Sequence, residues 1–221
     1  MSYPTPTNET ERLVAVRALN ILGTAPEIAF DDIGELAAQI CQCSVSYITF
    51  ADDDRFWLKA KYGLPPDFNE CPREISFCAT TICGTVMIIA PNLREDDRFN
   101  QFPTVTGEPH LQFYCGIPLV TKAGYALGTL TFMDFEPRQL TFEQTEALHR
   151  LIRFPGDHLG LAIFGHQWKP VWRLIFSRSV ARAAHRDETI SSRASRVAMC
   201  LLTMGSSTSV HSVSAGCTSG V

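Results

Sequence analysis

The hydrophobic period of this chain turns from helical to strand-like and back again, and that alternation limits its fold more than any other feature. Across residues 44–62 the period is two. Val45, Tyr47 and Thr49 alternate with Ser46, Ile48 and Phe50, and after Asp52-Asp53-Asp54 the run Phe56, Leu58, Ala60, Tyr62 alternates with Trp57, Lys59, Lys61. Two strands joined by a tight acidic turn predict a hairpin. Further strands are expected over 86–90, 111–120 and 125–133, the last two separated by Lys122-Ala123-Gly124, a hairpin-length connection. Before the strands, Ala15, Ala18, Leu19 and Leu22 recur at helical spacing after Asn8 and Glu11, a capping-box pair. A second helix is read from Phe30, Ile33, Ala37 and Ile40, with Asp31 and Asp32 in its first turn. After the strands, Thr141 and Gln144 form another capping-box pattern ahead of Leu148, Leu151 and Ile152. Helices bracketing a mostly antiparallel sheet define an α+β domain.

The 221 residues exceed one ordinary domain, and the charge divides accordingly. Residues 1–150 hold 11 lysines and arginines against 20 aspartates and glutamates, net −9, while residues 151–221 hold 8 against 3, net +5. Pro155-Gly156 breaks the closing helix, and eleven serines and six arginines follow without a sustained period. The expected organisation is an N-terminal arm over 1–7, a folded domain over 8–153, and a weakly ordered Ser/Arg-rich tail over 154–221. An out-of-frame translation product is the other reading of that tail. Hydrophobic content of 45% and 19% charge exclude a wholly disordered chain. With no apolar run of membrane-spanning length and no signal-peptide layout at Met1-Ser2-Tyr3-Pro4-Thr5, a soluble cytoplasmic protein with no membrane partner is expected, its eight cysteines reduced.

Six segments carry a resemblance. They are Glu11-Arg12-Leu13 through Gly23-Thr24-Ala25-Pro26-Glu27; Asp52-Asp53-Asp54-Arg55-Phe56-Trp57-Leu58-Lys59; Pro72-Arg73-Glu74-Ile75-Ser76-Phe77-Cys78-Ala79; Pro91-Asn92-Leu93-Arg94-Glu95-Asp96-Asp97-Arg98-Phe99; Phe113-Tyr114-Cys115-Gly116-Ile117-Pro118-Leu119; and Gly124-Tyr125-Ala126-Leu127-Gly128-Thr129-Leu130. In this order they resemble a GAF domain of the branch found N-terminal to bacterial histidine kinases, adenylate and guanylate cyclases and diguanylate cyclases. The resemblance implies a six-stranded antiparallel sheet, terminal helices packed on one face, and a ligand pocket or its vestige on the other. It also implies a sensor that relays a signal through its helices to an output domain, and pairing as a homodimer. No kinase, cyclase or GGDEF motif is read in residues 154–221.

Candidate site residues follow from the segments that line the ligand face in GAF domains. The pocket candidates are Trp57, Phe77, Cys78, Phe99, Tyr114, Phe132 and Asp134, and the redox candidates are Cys71, Cys78, Cys83 and Cys115. Cys78 opens a short predicted helix, where a helix dipole can lower a thiol pKa, although free cysteine more often packs as a small hydrophobe. Since strand neighbours face opposite ways, Tyr114 and Cys115 cannot both line the pocket, and Tyr114 is favoured. The bilin attachment pattern fails because Ala79, not histidine, follows Cys78, and the Asn-Lys…Phe…Asp-Glu string of cyclic-nucleotide binders is absent. Cys41-Gln42-Cys43 is too tight for a zinc pair, strand alternation would part its two thiols, and no metal or other cofactor is expected. A ring of Asp52, Asp54 and Asp134 could recognise an amine, but turn aspartates are the simpler reading. The arginines of the tail are read as solvated, with no nucleic-acid partner.

The sequence therefore predicts a regulatory module that binds an unidentified small molecule or senses redox state and reports to a signalling kinase or cyclase, with no chemistry of its own. A thiol-dependent free methionine sulfoxide reductase and a structural dimerisation module with a collapsed pocket are the alternatives.

Overall fold

The computed structural model describes residues 3–152, so both readings of the tail over 154–221 lie outside the described residues. The expected hairpin is β1 (Val45–Ala51) and β2 (Arg55–Tyr62), and the other predicted strands are β4 (Ile88–Ala90), β5 (Phe113–Val120) and β6 (Ala126–Asp134). The sixth, β3 (Glu70–Pro72), has three residues, too few to show a period. The order is β3-β2-β1-β6-β5-β4, every neighbouring pair antiparallel, so β1 and β6 form the centre. The fold is α+β, as the period changes predict, with the six-stranded antiparallel sheet that the family resemblance implies.

Every residue of β1 and β6 is buried, because both faces of the sheet are covered. One face carries the helices α1 (Glu9–Ala18), α2 (Ile28–Cys41) and α5 (Phe142–Ile152). There Phe30 of α2 meets Phe50 edge to face, with ring centroids 6.4 Å apart, and Val16, Ala37 and Leu148 join Ile48, Leu130 and Phe132 in one apolar cluster. The other face is covered by the chain between β2 and β5, which includes the single turns α3 (Cys78–Thr81) and α4 (Pro103–Thr106). Its cluster gathers Phe77, Leu93, Phe99 and Leu111 over Tyr47, Tyr114 and Met133.

The terminal helices correct three expectations. The helix α1 ends at Ala18, which is exposed, so of the expected stripe Ala15, Leu19 and Leu22 are partly buried against the helix-face cluster, while the fully buried residues of α1 are Arg12 and Val16, one turn apart. Asn8 stands at the N-cap without a side-chain bond, so the expected capping box with Glu11 does not form. By contrast Thr141 and Gln144 do form the capping box, with Gln144 N donating to Thr141 Oγ1 at 3.2 Å and Thr141 N to Gln144 Oε1 at 2.9 Å. Gln144 Nε2 also donates to Ile40 O at 2.9 Å, tying the start of α5 to the end of α2. Finally, Cys41 ends α2 rather than lying in a strand. Gln42 follows in the left-handed region at φ 55°, so Cys41 and Cys43 turn into the same helix-face cluster.

Candidate functional site

Strand alternation places the hydroxyls of Tyr47, Thr49, Thr129 and Thr131 on the loop face of the two central strands. Thr49 of β1 pairs with Thr129 of β6, and Thr131 follows two residues later on the same side. Their hydroxyls form a chain, Thr49 to Thr129 at 2.8 Å and Thr129 to Thr131 at 2.9 Å. Cys78 of α3 lies over it, where Thr129 Oγ1 donates to Cys78 Sγ at 3.2 Å and Thr131 Oγ1 lies 3.5 Å from the same sulfur. Tyr47 OH donates to Met133 Sδ at 3.4 Å and lies 3.8 Å from Cys78 Sγ. Thr81, at the end of α3, is hydrogen-bonded to Tyr114 OH at 2.6 Å. All of these side chains are buried, and a buried hydroxyl without a partner costs about 1–3 kcal/mol, so each bond holds a neighbour in place.

Beside this network is a cavity of about 20 Å³, the room of about one water. Tyr47, Thr49 and Met133 floor it, Phe56 and Leu58 of β2 wall it, and Leu64, Phe68, Cys71 and Ser76 close it from the connecting chain. An aromatic stack adjoins on the β5 side: Phe77 lies parallel to Phe102 at 4.7 Å and contacts Tyr114 at 5.2 Å, with Phe99 edge-on at 5.4 Å from Phe77. Burial pushes the Tyr47 and Tyr114 phenols well above their ordinary range, reinforced by the nearby Cys78 sulfur, and burial likewise raises the Cys71 thiol. The site is therefore neutral, with hydroxyls to bond and no charge to offer.

Of the predicted pocket residues, Phe77, Cys78, Phe99 and Tyr114 come together on this face. The others do not. Phe132 packs in the helix-face cluster. Trp57 pairs with the helix-face residue Phe50 and is half-buried, its Nε1 buried without a partner. Asp134, at the end of β6, accepts from Ser44 N and Oγ at 3.2 and 3.1 Å and pairs with Arg138, which makes it an anchor where the central strands end. It stands at the opposite end of β1 from Asp52, and Asp54 is exposed, so no carboxylate ring exists. Among the thiols, Cys71 and Cys78 share the loop face, Cys115 is buried on the helix face, and Cys83 is exposed with Sγ donating to Ala79 O at 3.2 Å. Tyr114 and Cys115 thus face opposite ways. Among the described residues no three His, Cys, Asp or Glu side chains converge as metal ligands.

Sequence reasoning did not single out Tyr47, Thr49, Thr81, Thr129 or Thr131. Nor did it find a second buried polar group, where the N-terminal arm meets the β1–β2 turn. There Glu9 receives Arg12 Nε and Nη2 at 2.8 Å each and Arg73 Nη1 at 2.6 Å, while Arg12 Nη1 donates to Ala51 O at 2.6 Å. Tyr3 lies over the Arg73 guanidinium at 4.7 Å. Both arginines are fully buried.

No protein-family model matches this chain. It is 35% identical over 145 residues, 66% of its length, to the cyclic di-GMP phosphodiesterase PA2567 of Pseudomonas aeruginosa, of which it spans about a quarter, 24%. The solved structures it is similar to include the GAF domain of an Acinetobacter phosphoenolpyruvate-protein phosphotransferase, at 15% identity, 70% of this chain, 92% of that one and TM-score 0.49. The nlh2 GAF domain of A. aeolicus in an inactive state aligns at 12% identity, 70% and 97% coverage and TM-score 0.44. A type II free methionine-R-sulfoxide reductase of Thermoplasma acidophilum aligns at 11% identity, 56% and 89% coverage and TM-score 0.43. Six antiparallel strands, the terminal helices on one face and a small cavity on the other are the architecture that the sequence resemblance to GAF domains implies. Among the described residues no helix is long and apolar enough to cross a membrane.

Proposed function

We propose that residues 8–153 form the ligand-sensing regulatory module of a signalling protein, taking a small molecule on the loop face and passing the change on through the helix face. The observation that carries this reading is the buried hydroxyl and thiol network of Thr49, Thr129, Thr131 and Cys78 beside a cavity on the two central strands. Small-molecule sites are mostly apolar cavities with a few fixed polar groups, and this face has that composition. Thr49 and Thr129 alternate along their strands with Ile48, Phe50, Leu130 and Phe132, which pack against α2 and α5. A shift of β1 against β6 on one side is therefore felt by the helices on the other.

Binding is favoured over thiol chemistry because Cys71 and Cys78 are buried and burial raises the Cys71 thiol, whereas a reactive cysteine needs access and a stabilised thiolate. The relative's name supports a place in cyclic di-GMP signalling, where this module would bias a catalytic region or a partner kinase or cyclase. The terminal helices leave Val14 and Phe142 exposed, surfaces suited to a homodimer.

The test is hydrogen exchange on the full chain with and without metabolite mixtures fractionated from a bacterial extract. A fraction that slows exchange in β1, β6 and α3 and alters it in α5 is the expected result. Thiol-dependent turnover of free methionine sulfoxide, lost on Cys78→Ser, would replace this reading with the reductase. If no fraction alters exchange anywhere, the structural-module alternative takes its place.

A further inference from the structure

We infer that the ligand of this cavity is a small uncharged molecule with an apolar body and a hydrogen-bonding end, admitted by the loop over residues 63–69. The inference rests on the loop-face reading above and narrows it to one chemical class.

The lining decides the charge. Thr49 and Tyr47 on the floor and Ser76 at the margin offer hydroxyls, which donate and accept, and the remaining contacts are hydrocarbon or sulfur. An ionised carboxylate or phosphate placed there would leave water without a counter-charge, which a protein interior does not tolerate. No cation is among the lining side chains. Arg73 turns its Nη1 to Glu9, Asp52 O and Asp53 O beneath the Tyr3 ring, with its Nε and Nη2 buried without a partner away from the lining, and Lys59 donates to Thr24 Oγ1 and Ala25 O and pairs with Glu27. Lys61 is held by Pro66 O at 2.6 Å, Phe68 O at 2.9 Å and Asn69 Oδ1 at 2.7 Å.

Those three acceptors identify the way in. All belong to the loop that brings Leu64 and Phe68 over the cavity, so Lys61 acts as the clasp of a cover. The loop begins at Gly63, at φ 71°, where a Cβ would stand 2.1 Å from Ser44 O, so the backbone passes against the start of β1 at that point. A space for about one water accepts a larger guest only when Leu64 and Phe68 swing away. The ligand must supply the difference in free energy between closed and open loop, so the clasp weakens apparent affinity by the fraction of time the cover is shut.

The test uses the full chain with phenol, which has the inferred form, benzoate as its anionic counterpart, and cyclic di-GMP. Titrations are followed by thermal shift and by hydrogen exchange over 63–69. The expected result is that phenol binds at least tenfold more tightly than benzoate and changes exchange in the loop and β1. Lys61→Met should speed exchange of 63–69 in the free protein and tighten phenol binding several-fold. Thr49→Val should weaken phenol binding, and Lys61→Met serves alone should that variant not fold. Benzoate or cyclic di-GMP binding as tightly as phenol, with protection at the same residues, overturns the inferred class while leaving the pocket intact. No effect of any probe on the loop or β1 overturns the inference, and the extract fractions described above then decide separately whether this face binds anything.

Discussion

Two of the buried polar regions among the described residues are built from opposite materials. At the junction of the arm and the β1–β2 turn, Glu9 holds Arg12 and Arg73 in a charged cluster. On the loop face, Thr49, Thr129, Thr131, Tyr114 and Cys78 make a neutral one. The difference lies in what breaking each would cost. Removing one member of a buried ion cluster strands a charge, at about 3–5 kcal/mol, whereas a neutral hydrogen bond contributes about 0.5–1.5 kcal/mol. The charged region locks α1 to the hairpin, and the neutral region can exchange its partners for those of a guest.

The sharpest challenge to this contrast is Arg12→Met. The variant removes the bidentate pair with Glu9 and the bond to Ala51 O while keeping most of the side-chain volume. Glu9 keeps its pair with Arg73, so the cost is that of the lost charge-assisted hydrogen bonds, about 3 kcal/mol in urea unfolding. A loss below about 1 kcal/mol would mean that α1 is not held by this cluster.

Glu9→Gln sharpens the same point through pH. Burial by itself would raise the Glu9 carboxyl, but the hydrogen bonds and charges of Arg12 and Arg73 outweigh it and leave the group below its ordinary value. A carboxylate lowered by folding stabilises above the unfolded pKa, about 4.3, and loses that contribution as pH falls through its folded value. The gap in unfolding free energy between native protein and variant should therefore stay constant from pH 7 to pH 5 and narrow at pH 3. A gap independent of pH would show that the charge of Glu9 contributes nothing.

The same contrast explains what could be read in the sequence. The hairpin, the α2 stripe and the Thr141 cap were legible because each depends on residues close in the chain. The buried face of α1 was not. Arg12 occupies it, and a charged residue looks solvent-facing until its cluster is known, with Arg73 64 residues from Glu9. The Cys41–Cys43 turn was misread because a left-handed Gln42 leaves no mark that glycine would have left. In the site, the aromatic residues came from family resemblance, and alternation sorted Tyr114 from Cys115. The threonines stayed hidden because threonine is also an ordinary strand residue. Their only signal is register, Thr129 and Thr131 on one side of a strand whose partner carries Thr49.

In the neutral region the larger effect is expected for Thr129→Val, which keeps the shape and deletes the central hydroxyl. Thr49, Thr131 and Cys78 would each lose a neighbour, but the first two hydroxyls can turn to other acceptors, so about 1–3 kcal/mol is expected. A loss equal to that of Arg12→Met would erase the distinction between the two regions.

The smallest effect belongs to Tyr114→Phe. The phenol is hydrogen-bonded to Thr81 Oγ1 at 2.6 Å, and its ring is held independently by Phe77 at 5.2 Å and Phe99 at 5.4 Å. Deleting the oxygen leaves the ring stack in place and frees the last residue of α3 from its tie to β5. The expected cost is about 1 kcal/mol, a fall in Tm of about 2–4 °C for a domain of this size. Because Thr81 lies one turn after Cys78, the change should appear as faster hydrogen exchange in α3 with little change in β5. Equal loss of protection in both elements would mean that this bond belongs to the rigid frame, and that the loop face is as firmly locked as the arm.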